Sequence, residues 1–232
     1  MRGSRFRLFV GAASAVMFWF AATVGTSQAA PITYAFSGTI DNVAAGLSPP
    51  FSVTDTFTGS YTIESTTAAR VGSDSDFAFY DAVLSFNVSV LDAGASLVYS
   101  ASLDSATGRR EVQVDDAPNA PNDRYGISTF ASDGLVGADV NGLALSGASF
   151  RLDDSTNSVF NDALVLPTDI AFSDFDSSGF FLFFGPSLTT VSGTLNSLRR
   201  IPVSEPETLP LLMVGLFGLM GAGLYRQRRR AA

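Results

Sequence analysis

The stretch whose spacing comes nearest to chemistry is DFDSSGFFLFFG, residues 174–185, in which Asp174, Asp176 and Ser178 alternate and Gly179 follows. A calcium loop places oxygen ligands at its first, third and fifth positions and a glycine at its sixth, so the first half of the pattern fits. The second half does not. The twelfth position is Gly185 where a bidentate glutamate is required, and no helical period flanks the loop. An EF-hand is excluded, and the stretch reads as a solvated turn. Asp74 with Asp76, Asp115 with Asp116, and Asp153 with Asp154 read as soluble loop residues, since aspartate is a frequent turn former. Several such loops gathered round one Ca²⁺ form an arrangement that a linear sequence cannot assemble, so no metal ligand is assigned.

The rest of the chemistry is bounded by what is missing. The 232 residues include no histidine and no cysteine, and all 14 basic residues are arginine. This removes Ser–His and Cys–His nucleophiles, lysine Schiff bases and imidazole ligands for zinc. Paired carboxylates remain as a source of acid–base catalysis, but among so many aspartates pairs arise by chance. No catalytic residue and no cofactor is assigned, and the chain reads as non-enzymatic. Residues 30–207 carry all 22 acidic side chains against only seven arginines. Such a charge repels nucleic acid, which is therefore not an expected partner, and keeps an exported protein soluble. Without disulfides, a body of this length must be held by a hydrophobic core.

The elements that would position any site are strands. ITYAFSGTI places Ile32, Tyr34, Phe36 and Ile40 on one side, TFTGSYTIE places Phe57, Tyr61 and Ile63 there, and VLSFNVSVL places Leu84, Phe86, Val88 and Val90 there. This period of two marks half-buried antiparallel strands. Further strands are expected at 96–103, 110–115, 124–130, 140–152 and 188–198, separated by Gly, Pro, Asn and Asp. Across Gly147 the apolar side switches from Leu143 and Leu145 to Phe150 and Leu152, which predicts a bulge or corner. GFFLFFG, residues 179–185, is apolar on both sides and predicts a central strand; an aromatic binding platform is the alternative. FSGTI (36–40), FTGSY (57–61) and VSGTL (191–195) echo one another without a constant period, which predicts strands that pass close together, the first and last pairing. Tyr34, Tyr61, Tyr80, Tyr99 and Tyr125 fall at strand spacing and are expected to pack inside instead of stacking on sugars. The fold class expected is all-β, an antiparallel β-sandwich or jelly-roll-like domain over residues 30–200.

Both ends read as addresses. Arg2, Arg5 and Arg7 precede an apolar run from Leu8 to about Ala22, and Ser27 and Ala29 supply the small residues of a signal peptidase site. This is the layout of a secretory signal peptide, residues 1–29, cut between Ala29 and Ala30. At the other end, Leu209 to Tyr225 carries no charge and as a helix spans roughly 25 Å, close to the thickness of a bilayer core. Arg226, Arg228, Arg229 and Arg230 follow as a membrane stop, so residues 209–225 read as a transmembrane helix, 226–232 as a cytoplasmic tail, and the body as lying outside.

Ser204-Glu205-Pro206, followed by the apolar span and terminal arginines in a chain that also has a signal peptide, resembles the sorting tail of the PEP-CTERM family. The family motif is Pro-Glu-Pro; here Ser204 replaces the first proline, while Glu205 and Pro206 match. FSGTI, DTFTGSYTIES, FYDAVLSFNVSV and VSGTLNSL also resemble segments of the exported domains in that family, which are β-rich and mostly without an assigned activity. The resemblance implies processing by exosortase, a membrane-embedded cysteine transpeptidase, in a Gram-negative bacterium that makes an extracellular polysaccharide matrix. Residues 201–208 then form the linker that carries the sorting motif. The partners expected are signal peptidase and exosortase, the membrane before processing, and extracellular polysaccharide afterwards. The role expected is structural or adhesive, at the cell surface or in the matrix; the alternative is a permanently membrane-anchored periplasmic or surface protein that binds calcium or glycan.

Overall fold

Alternation of apolar and polar residues builds the sheet, and small residues let it curl. A computed structural model describes residues 31–103, 110–116 and 122–202. The chain separates into two units, Met1–Ala30 and Pro31–Ala232, and every described residue belongs to the second. The signal-cleavage pair Ala29 and Ala30, the motif Ser204-Glu205-Pro206, the apolar span 209–225 and the cluster Arg226, Arg228, Arg229 and Arg230 lie outside the described residues. No helix among the described residues is long and apolar enough to cross a membrane.

The described part of the second unit is all-β and antiparallel. Its strands are β1 (Ile32–Val43), β2 (Thr56–Ile63), β3 (Phe77–Tyr80), β4 (Val83–Leu91), β5 (Leu97–Leu103), β6 (Arg110–Asp115), β7 (Asp123–Phe130), β8 (Leu135–Gly137), β9 (Leu145–Asp154), β10 (Ser177–Phe184) and β11 (Thr189–Ile201). They form one sheet in the order β3-β6-β7-β9-β10-β11-β1-β2-β4-β5-β8. The sheet curls so that its two halves face each other across a shared core. Phe36 of β1 lies 5.4 Å from Phe150 of β9, and the rings of Phe57 on β2 and Phe180 on β10 stack at 4.1 Å. Bulges supply part of the curvature: the β1–β11 ladder shifts register between Ser37 and Gly38 and again between Ile40 and Asn42.

The inward residues of β1 and β2 are those the alternation marks, with Ile32, Tyr34, Phe36, Ile40, Phe57, Tyr61 and Ile63 all buried. In β4 one residue departs. Leu84 is exposed and Val83 takes the buried place, because the β2–β4 ladder pairs Thr62 with Ser85 but Ile63 with Val83. Leu84 is the extra residue of a bulge, and the alternation slips by one there. The switch across Gly147 is also a register shift: Phe183 pairs with Gly147 and Phe184 with Leu145, leaving Ser146 unpaired. The three related pentapeptides do pass close together, since β1 pairs with β2 on one side and with β11 on the other. Strands β3 and β8 have too few residues to show a period in the sequence.

A long connection joins β9 to β10, residues 155–176, and polar side chains pin it to the sheet. The hydroxyl of Tyr34 donates to the carbonyl of Thr168 at 2.9 Å and accepts from the amide of Ile170 at 3.2 Å. Tyr80 donates to the carbonyl of Ala163, whose own amide bonds the carbonyl of Ser75. Asp123, fully buried at the start of β7, accepts the amides of Val159 and Phe160 through Oδ2, both at 3.0 Å.

Candidate binding face

The outer face of the β6-β7-β9-β10 half holds the most organised set of polar and aromatic side chains. On these strands Val112, Val114, Tyr125, Ile127, Phe150, Leu152, Phe180, Leu182 and Phe184 face the core. The intervening residues face outward and line up across the ladder in rows. One row is Asp115, Arg124, Asp153 and Ser177, the next Gln113, Gly126, Arg151 and Gly179, and the third Glu111, Ser128, Ser149 and Phe181. Because Gly126, Ser128 and Ser149 are small, the middle strands sink between taller flanks and leave a shallow trough of about 290 Å³.

Phe181 and Phe183 form the wall on β10. They are half-buried, 6.0 Å apart between centroids and nearly parallel at 8°. The Phe181 ring lies over Gly179, where an added Cβ would stand 2.9 Å from the ring edge. The guanidinium of Arg151 sits 5.6 Å from the ring centroid, a cation–π contact that fixes both groups. The central strand expected at residues 179–185 is β10, which lies inside the sheet; Phe180, Leu182 and Phe184 are core, while Phe181 and Phe183 are on its outer side.

A bonded network closes one end of the trough. Arg124 Nε donates to Asp153 Oδ1 at 2.7 Å, and its Nη1 lies 3.8 Å from Asp115 Oδ2. Arg151 Nε lies 3.3 Å from the other oxygen of Asp153. The Gln113 amide donates to both oxygens of Asp115 at 3.0 Å. Burial raises the Asp115 carboxyl above its usual range, partly offset by Gln113 and Arg124. Two guanidiniums and two carboxylates thus nearly cancel in charge, unlike the acidic body around them.

The acidic doublets singled out in the sequence gather at this same end of the half-sheet without forming a cation site. Asp74 caps its own turn by accepting the amides of Asp76 and Phe77. Asp176 accepts from the Ser155 amide and hydroxyl, Ser178 Oγ bonds the backbone of Leu195, and Asp174 closes a short 3-10 turn. The calcium-like spacing of Asp174, Asp176 and Ser178 therefore does not converge. Among the described residues, no three His, Cys, Asp or Glu side chains group to hold a metal ion. Asp153 and Asp154 are not solvated loop residues, as expected from the sequence, but buried. Asp154 is wrapped by its own turn, accepting from Thr156 and Ser158, and these bonds lower its carboxyl to about 2. Desolvation opposes these bonds but is outweighed by them.

The five tyrosines are buried, as expected. Tyr61 donates to Tyr125 at 3.3 Å in the core, and burial pushes both phenols well above their usual range. A wider depression of about 620 Å³ lies beside β5, where β8 stops short, with Leu97, Tyr99 and Val136 in its lining. It has no charged group and is an open strand edge, so the smaller trough is the better candidate. The sequence offered the aromatic wall as the alternative for residues 179–185, but not the trough as a whole, because its row neighbours lie far apart in the chain. No protein-family model, curated protein or solved structure matches the chain.

Proposed function

We propose that this is an exported, non-enzymatic surface or matrix protein, delivered by a signal peptide and sorted by exosortase at Ser204-Glu205-Pro206. The body would act as a β-sandwich module in an extracellular polysaccharide matrix of a Gram-negative bacterium, in a structural or adhesive role. One observation carries the reading: the sequence ends in an acidic proline-marked motif, an uncharged span and an arginine cluster, in that order. The fold is compatible with it. Thr33 at the start of β1 pairs with Ile201 at the end of β11, so the first and last strands of the body lie side by side, and in the sequence the motif begins three residues beyond the last strand. The last strand, β11, is stitched between β10 and β1, so the body is held by its own sheet up to the point where the described residues end.

The intact mass and C-terminal peptide of the protein recovered from its host test this. A chain ending near residue 206 supports sorting. A chain still ending at Ala232 overturns it and leaves a permanently anchored surface protein.

A further inference from the structure

We propose that the trough on the outer face of β6, β7, β9 and β10 binds a neutral polysaccharide chain. The inference names the ligand class behind the adhesive role proposed above and rests on that role, although its chemistry is independent of how the tail is processed.

The wall is aromatic and already ordered. Phe181 and Phe183 are parallel and half-exposed, and Gly179 and Arg151 hold Phe181 in place, so little conformational entropy remains to be lost on binding. The C–H face of a pyranose is apolar and stacks on such rings, while its hydroxyls point sideways. Sideways from Phe181, across the floor, stand the hydroxyls of Ser149 and Ser128, and in the adjoining row the Arg151 guanidinium and the Gln113 amide. These are donors and acceptors of the kind that read a hydroxyl-bearing ligand. Their bonds to Asp115 and Asp153 hold the planar groups in position before a ligand arrives.

Charge selects the neutral class. Arg124 and Arg151 are matched by Asp115 and Asp153, so the trough has no surplus of positive charge for a polyanion, and the acidic body repels one at longer range. The trough volume lies near the lower end of the roughly 300–1,000 Å³ of small-molecule sites, and its shallowness suits a chain lying along the face more than an engulfed small molecule.

The floor offers a clean test. A Cβ added at Gly126 would meet only ordinary contacts, 3.5 Å to the Phe150 carbonyl oxygen and 3.8 Å to Gln113 Cβ. Gly126→Thr therefore projects a strand-favouring side chain into the trough from a position where its Cβ fits, and its thermal unfolding reports whether the fold is kept. The protein recovered from its host, as wild type, Gly126→Thr and Phe181→Ala, is run in affinity gels containing laminarin, hydroxyethylcellulose or galactomannan, with alginate as the polyanion. Thermal unfolding is recorded for each variant. The expected result is retardation of the wild type by at least one neutral polymer, and dissociation constants about tenfold higher or more in both variants. Phe181→Tyr, which keeps the ring, retains binding. The proposal is overturned if no neutral polymer retards the wild type, if alginate alone does, or if folded Gly126→Thr binds as the wild type does. A chain still ending at Ala232 that binds a neutral glycan through the trough would refute sorting and leave this inference standing.

Discussion

Phe57 of β2 lies directly opposite Gly38 of β1, and its ring fills the space a Gly38 side chain would need. The relation is reciprocal, since Phe36 of β1 faces Gly59 of β2 and covers it in the same way. Phe57 also reaches Gly193 of β11, where an added Cβ would stand 3.0 Å from the ring. The three related pentapeptides are thus one interlocked device in which each glycine makes room for a phenylalanine beside it.

Gly38→Ala and Gly59→Ala are each expected to destabilise the body by about 1–3 kcal/mol or more through overpacking. Ring movement alone cannot relieve the clash, because backbone oxygens of Thr194 and Asn87 also stand in the way. Urea denaturation should show a lower midpoint with an unchanged slope. Midpoints equal to the wild type would refute the interlock.

Asp154 makes stability depend on acid in a defined window. Its folded value is near 2 and its ordinary value 3.8, so its contribution is present above the ordinary value and is lost as pH falls from there towards 2. Asp154→Asn should lower the melting temperature at pH 6 and close much of its gap to the wild type at pH 2. A gap that stays constant over that range would rule the carboxylate out as its source.

Asp116 should behave in the opposite sense. Burial first, then repulsion from Asp123, Asp76 and Asp162, raises its folded value above the ordinary one. Its charge therefore costs stability at neutral pH, and the cost disappears below the ordinary value. Asp116→Asn is expected to melt higher than the wild type at pH 7 and to lose that advantage near pH 3, as read by parallel thermal scans.

Asp123 anchors the long connection through one oxygen, while Oδ1 has no hydrogen-bond partner. Asp123→Ala removes the acceptor for two amides, at a cost of about 1–3 kcal/mol. Hydrogen exchange should speed up at Val159 and Phe160 before it changes in the strands. Protection unchanged at those two amides would show that the connection is held elsewhere.

Period-two alternation made much of the sheet legible, since β1, β2, β5, β6, β7 and β11 fall where the sequence places strands, and β10 falls on the continuous apolar run GFFLFFG. Leu84 misled because bulges are set by the partner strand, and Val83 takes its place only once Ile63 has paired. The trough was hidden for a related reason. Gln113, Gly126, Arg151 and Gly179 are neighbours by register alone, and nothing in the local sequence of any one strand fixes the register of the next. The acidic pairs were visible, yet their bonding partners, such as Ser155 for Asp176 and Arg124 for Asp153, appear only with the tertiary fold.

The place of β11 has a mechanical consequence. It is the last described strand of the body, and its neighbour β10 carries Phe181 and Phe183. Tension between a held tail and a polymer lying on that wall would run along the strands and load the Phe180–Gly193 to Phe184–Thr189 ladder in shear. Its hydrogen bonds would then share the force together instead of opening one after another, and the path from such a tether to such a ligand would cross a lap joint, avoiding the long connection and the free sheet edges.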